Sequence, residues 1–89
     1  MDEKQLEKKL REAVKKKGGL ALKFVSPGFR GVPDRLVLTI GKVHFVELKS
    51  PGKKPTPLQL IAHKVFASFG FPVWIVDSTE SLHAFLDQL

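Results

Sequence analysis

Two hydrophobic periods alternate along the chain, and the changes between them divide it into elements. From Glu3 to Lys17, Leu6, Leu10, Ala13 and Val14 recur at helical spacing among charged residues, which predicts an amphipathic helix. Lys15, Lys16 and Lys17 suit the negative end of its dipole, and Gly18-Gly19 stops it. Leu20, Leu22 and Phe24 then alternate with Ala21, Lys23 and Val25, the period of a strand. Ser26 to Pro33 is rich in Pro and Gly and reads as a loop. Two apolar runs follow, Leu36-Val37-Leu38-Thr39-Ile40 and Val43-His44-Phe45-Val46, split by Gly41-Lys42. Gly first in a two-residue loop suits a type II′ turn and hence a hairpin.

Past Lys49, Ser50 to Pro55 is a polar, basic turn. Thr56-Pro57-Leu58-Gln59 opens the next helix, with Thr at N-cap, Pro at N1 and Gln at N3 of a capping box. Leu58, Ile61, Ala62, Val65, Phe66 and Phe69 form a full apolar stripe, expected to pack on the sheet. Gly70 ends this helix, and Val73-Trp74-Ile75-Val76 is a short strand. A right-handed crossover places it parallel to the strand that carries Glu47. Ser78 caps a last helix with Leu82, Phe85, Leu86 and Leu89 facing inward. The order is helix, three antiparallel strands, helix, strand, helix. That is an α/β sandwich on a mixed four-stranded sheet.

The open end of the hairpin carries the candidate chemistry. With the loop at Gly41-Lys42, Ile40 lies opposite Val43, Leu36 opposite Glu47 and Asp34 opposite Lys49. Period-two alternation puts all of these on one face. Asp34 and Glu47 are then diagonal neighbours, roughly 7–8 Å apart at the backbone. Two converging carboxylates can share a hard divalent cation that keeps waters and takes a phosphate. A lysine alongside can orient a water or stabilise charge on a phosphoryl group. The competing reading is a cross-strand ion pair between Asp34 and Lys49.

Charge adds to this picture. Fifteen Lys and Arg against nine Asp and Glu give a net charge of +6 and a pI near 9.9, which favours a polyanionic partner such as nucleic acid. Lys4, Lys8, Arg11 and Lys15 recur as a ridge along the first helix; a solvated face is the alternative. Phe29 and Arg30 on the loop can stack on or clamp a nucleic acid, although Phe29 can equally tuck into the core. Lys53 and Lys54 add charge after the second hairpin strand. At 89 residues and 43% hydrophobic content, the chain is expected to be one globular domain, 1–89, small enough to benefit from assembly. It has no cysteine, so disulfides and zinc–cysteine sites are excluded. No apolar run approaches the roughly 20 residues of a membrane span. The N-terminus lacks a signal-peptide core, so a cytoplasmic protein is expected. His44, His63 and His83 are scattered without metal-ligand spacing, and there is no P-loop, dinucleotide fingerprint or nucleophile elbow.

Gly31-Val32-Pro33-Asp34-Arg35, Val46-Glu47-Leu48-Lys49 and Pro57-Leu58-Gln59, with Glu7 on the opening helix, resemble the PD-(D/E)XK nuclease superfamily. The similarity is greatest to its virus-type replication–repair nuclease (VRR-NUC) branch, in a minimal stand-alone form as found in phages and bacteria. The resemblance implies a restriction-endonuclease-like αβββαβ(α) core. It implies Mg²⁺-dependent DNA cleavage, with Mn²⁺ as an alternative ion. It makes Asp34, Glu47 and Leu48 the metal-site residues and Lys49 the catalytic lysine. Gln59 and Glu7 take supporting roles; Glu3 is the other candidate helix carboxylate. Two ordinary readings compete: Gln59 as cap, and Glu7 paired with Arg11. Lys8, Arg11, Lys15, Arg30, Arg35, Lys53 and Lys54 are the expected nucleic-acid contacts. By resemblance the substrate is branched DNA, above all a four-way junction, cut by a homodimer in a bacterial or phage-infected cell. A less selective nickase or flap endonuclease, a non-catalytic basic binding module and a structural subunit of a larger enzyme are the alternatives. A pure binder gains nothing from two acids where phosphates approach.

Overall fold

Alternation along the strands sorts this chain into a dry side and a working side. The computed structural model describes residues 1–89. Its elements are α1 (Glu3–Lys16), β1 (Leu20–Lys23), β2 (Arg35–Thr39), β3 (Lys42–Leu48), α2 (Pro57–Ser68), β4 (Val73–Val76) and α3 (Thr79–Leu86). The sheet order is β1-β2-β3-β4, with the first three strands antiparallel and β4 parallel to β3. This is the mixed α/β architecture expected from the pattern. No helix is long and apolar enough to cross a membrane.

Val37, Val46 and Leu48 point to one face of the sheet, where with Val76 they meet Leu6, Leu10 and Val14 of α1 and Leu82, Phe85 and Leu86 of α3. All ten are buried. Phe85 is central: its ring stands edge-on to Trp74 at 5.7 Å and to His44 at 6.0 Å. Asp2 starts α1 with a reciprocal capping box to Gln5, and the expected Thr56–Gln59 box starts α2. These caps satisfy helix N–H groups that have no partner within the helix.

The opposite face is covered only in part. Phe45 meets the edge of Phe66 of α2 at 4.8 Å, with Phe24 and Phe71 packed beside it. The α2 stripe does not pack in full as expected: Ala62 alone is buried, while Leu58, Ile61 and Phe69 are exposed. The reason is coverage. Helix α2 lies over Phe45, and Leu20, Leu22 and Leu38 on the same face stay open to solvent. Phe29 is also largely exposed and lines an apolar groove with Phe69 and Phe71.

The hairpin register differs from expectation by two residues. Thr39 pairs with Lys42, so the loop is Ile40-Gly41, with Ile40 exposed and Gly41 at φ 73°. The left-handed residue thus takes the second loop position, and Gly is the residue that adopts it without strain. A two-residue slip keeps every side chain on its face. It changes the partners: Leu38 now opposes Val43 and Leu36 opposes Phe45. β1 is shorter than its alternating pattern, although the Phe24 N–H still donates to the Asp34 carbonyl at 2.9 Å.

Phe85→Ala should cost about 3–5 kcal/mol, because a fully buried ring leaves a cavity. Phe69→Ser should change the stability of dilute protein by less than about 0.5 kcal/mol. Urea unfolding of the two variants measures both.

Candidate active site

Continuing the register one step beyond Arg35–Val46 sets Asp34 opposite Glu47. The two are therefore closer than diagonal neighbours, and Lys49 is not the cross-strand partner of Asp34. Asp34 is pinned from three sides. Its carbonyl accepts from the Phe24 N–H at 2.9 Å and from the Arg35 guanidinium at 3.0 Å. Its Oδ1 accepts from the Leu48 N–H at 3.1 Å. In a strand the N–H and C=O of one residue point to the same side, so the Leu48 carbonyl also faces Asp34.

Glu47 sits between the core residues Val46 and Leu48 but on the other face, beneath α2, and is 3% exposed. Its Oε1 lies 3.4 Å from Nε2 of His63 on α2, and neither atom has a hydrogen-bond partner. Burial, then the charge of Asp34, pushes the Glu47 carboxyl up to about 7. Asp34 is also raised, chiefly by burial; the Leu48 N–H and Arg35 oppose the shift. The Lys49 ammonium stabilises both carboxylates as anions, and Glu3 acts against both.

Two like charges facing each other in a desolvated place are unfavourable without a cation between them. Two carboxylates and a main-chain oxygen are a donor set that Mg²⁺ accepts while keeping waters for a phosphate to replace. No group of three His, Asp or Glu side chains is placed to hold a metal ion, so an ion here would rest on the two carboxylates and the main-chain oxygen, with water completing its shell.

No protein-family model matches the sequence. The "Putative nuclease p44" of Acyrthosiphon pisum secondary endosymbiont phage 1 is 54% identical over 79 residues, spanning 88% of this chain and 85% of that protein. A solved structure described as a VRR_NUC domain superposes with a TM-score of 0.87 at 34% identity, over 96% of this chain and 94% of the other. The chain belongs to the VRR-NUC nuclease family.

Within this VRR-NUC chain the other expected site residues fall in different places. Gln59 is occupied by the cap: its Oε1 accepts from the Thr56 N–H at 2.9 Å. Glu7 turns to Arg11 at 2.6 Å, so the helix carboxylate felt at Asp34 and Glu47 is Glu3. Lys4, Lys8, Arg11, Lys23 and Arg35 line one groove with Glu3 and Glu7. Lys8 also approaches Glu12 at 3.9 Å. Lys15 lies farther along α1, beside Gly19 and Leu20. Arg30, Lys53 and Lys54 are exposed on their loops.

Two residues escaped the sequence reading. Lys23 joins the basic groove as the register partner of Arg35. His63 follows Gln59 by one helical turn, a spacing that puts both on one side of α2. Gly31, at φ 84°, holds the preceding loop against α2: a Cβ there would lie 2.7 Å from the Leu58 carbonyl oxygen.

The raised carboxyls set a pH dependence. Glu47 holds its proton in the fold up to about 7, against 4.5 ordinarily. The stability this contributes is complete in acid below the ordinary value and is lost as pH rises through the folded one. Metal-free protein should therefore melt at a lower temperature at about pH 8 than at about pH 5. Glu47→Gln should flatten that slope and raise the melting temperature at the higher pH, worth on the order of 1 kcal/mol or more. Thermal scans in chelator across this range measure it.

Proposed function

We propose that this VRR-NUC nuclease is a Mg²⁺-dependent endonuclease of branched DNA, working as a homodimer on four-way junctions. The observation that carries the reading is Asp34 opposite Glu47, with Glu47 buried under α2 and Lys49 two residues on along the same face. Asp34, Glu47 and the Leu48 carbonyl would hold the cation. When bound, the ion polarises the phosphate and lowers the pKa of water. Lys49 Nζ orients the attacking water and stabilises charge that builds on the phosphoryl oxygens. Arg35, Lys23 and the α1 ridge take flanking phosphates, which positions the strand and reads no bases.

Selectivity for structure follows from size. A chain of 89 residues offers little surface for base readout. A second copy adds surface and a second site, and two-fold symmetry matches that of a junction. The open apolar face of Leu20, Leu22 and Leu38 supports self-association.

The test is labelled duplex, flap and four-way junction DNA with and without Mg²⁺ or Mn²⁺, alongside light scattering. Junctions should be nicked on opposing strands by a dimer, only with the ion. Equal cutting of duplex and junction by a monomer would leave a plain nickase. Asp34→Ala and Glu47→Ala should abolish cleavage with the fold kept. Lys49→Ala should slow it about 10²–10³-fold while binding persists. Gln59→Ala should cost about 0.5–2 kcal/mol of stability through the cap, and less activity than Lys49→Ala. Junction binding should weaken steeply with salt as displaced counterions are recovered. Near-native cleavage by either carboxylate variant would end the nuclease mechanism drawn here.

A further inference from the structure

We propose that His63 is a ligand, through Nε2, of the cation that Glu47 holds, and that it tilts the site toward ions that accept nitrogen, Mn²⁺ ahead of Mg²⁺. The proposal rests on the cation-site reading above and goes beyond it in naming a nitrogen donor.

Glu47 Oε1 and His63 Nε2 face each other at 3.4 Å. Both atoms are buried and both lack a hydrogen-bond partner. The side chains are 3% and 11% exposed, so bulk water does not compensate them. An unsatisfied buried polar atom costs about 1–3 kcal/mol, and here two share one spot. The separation is long for an N–H···O bond, whose usual value is about 2.9–3.0 Å. It suits two donors of a single ion. Ligand atoms about 2.0–2.2 Å from a common centre lie roughly 2.8–3.1 Å from each other at octahedral angles and about 3.3–3.6 Å at tetrahedral ones, so the pair needs to close by only a few tenths of an ångström to share an octahedral ion.

The imidazole is held there by the helix that carries it. The Thr56–Gln59 box fixes the start of α2, Gly31 abuts Leu58 and Gln59, and Ala62 is buried next to His63. Burial, then the neighbouring Lys49, lowers the pKa of the ring, and Nε2 has no hydrogen-bond partner. Asp34 also acts on Glu47, while its Oδ1 accepts from the Leu48 N–H. Glu47 is thus the shared member of two pairs, Asp34–Glu47 and Glu47–His63. No group of three His, Asp or Glu side chains is placed to hold an ion in this arrangement, so Glu47 and His63 are the side-chain pair in question, with water and phosphate completing the shell. Mg²⁺ prefers oxygen, whereas imidazole suits transition ions; a nitrogen donor here therefore discriminates between them.

Pulsed EPR of Mn²⁺ bound to the full chain, without DNA, tests this directly. Wild-type protein should show nitrogen modulation from a coordinated imidazole, and His63→Leu should lose it. Mn²⁺ affinity by titration calorimetry should fall about tenfold or more in the variant, with Mg²⁺ affinity changed much less. If His63→Leu fails to fold, wild-type protein labelled with ¹⁵N-histidine answers the same question through its altered modulation. Mn²⁺ bound with oxygen coupling alone would overturn the proposal and make His63 a neighbour that only positions Glu47, with the nuclease reading intact. An absence of any Mn²⁺ or Mg²⁺ binding would overturn both.

Discussion

A strand that is buried on both faces has no place to put a carboxylate except into a dry environment. That constraint acts on Val46-Glu47-Leu48. Val46 and Leu48 must enter the core formed by α1 and α3, so Glu47 is driven to the other face and under α2. The Leu48 N–H, at the same strand end, reaches across to Asp34. The core and the site are therefore opposite sides of three consecutive residues. Packing that holds the fold together also forces two acids to face one another, and a cation between them would relieve their mutual repulsion.

Much of this was legible because it depends on parity, not on register. Period-two patterning sorted Asp34 and Glu47 onto one face, and the slip of two residues at Gly41 left that sorting unchanged. The slip itself was not readable. A single glycine beside the turn serves a loop that begins with it or ends with it, and the two choices differ in partner, not in face. The capping boxes, the crossover and the α1 and α3 stripes were readable because each is local in sequence.

What was not legible depends on how much one element covers another. The α2 stripe is apolar throughout, and nothing in its spacing says that Leu58, Ile61 and Phe69 remain exposed. The helix carboxylate was similarly hidden: Glu3 and Glu7 sit on the same edge of α1, and the Arg11 pairing of Glu7 is decided by rotamers. His63 passed as an ordinary histidine because its partner, Glu47, is sixteen positions away in sequence. Its place one turn past Gln59 was the available signal.

The separation of the two sides has a practical meaning for how this protein tolerates change. The α1–α3 side holds the dry core, and the α2 side holds the facing acids that strain against it. Heat resistance is therefore set by packing on one side and lowered by the crowded acids on the other. Selection for a sturdier protein would tend to neutralise Glu47 and its neighbours, since the fold is easier to hold without them. A screen by stability alone would thus favour chains without the acids, whatever those acids do for the folded protein.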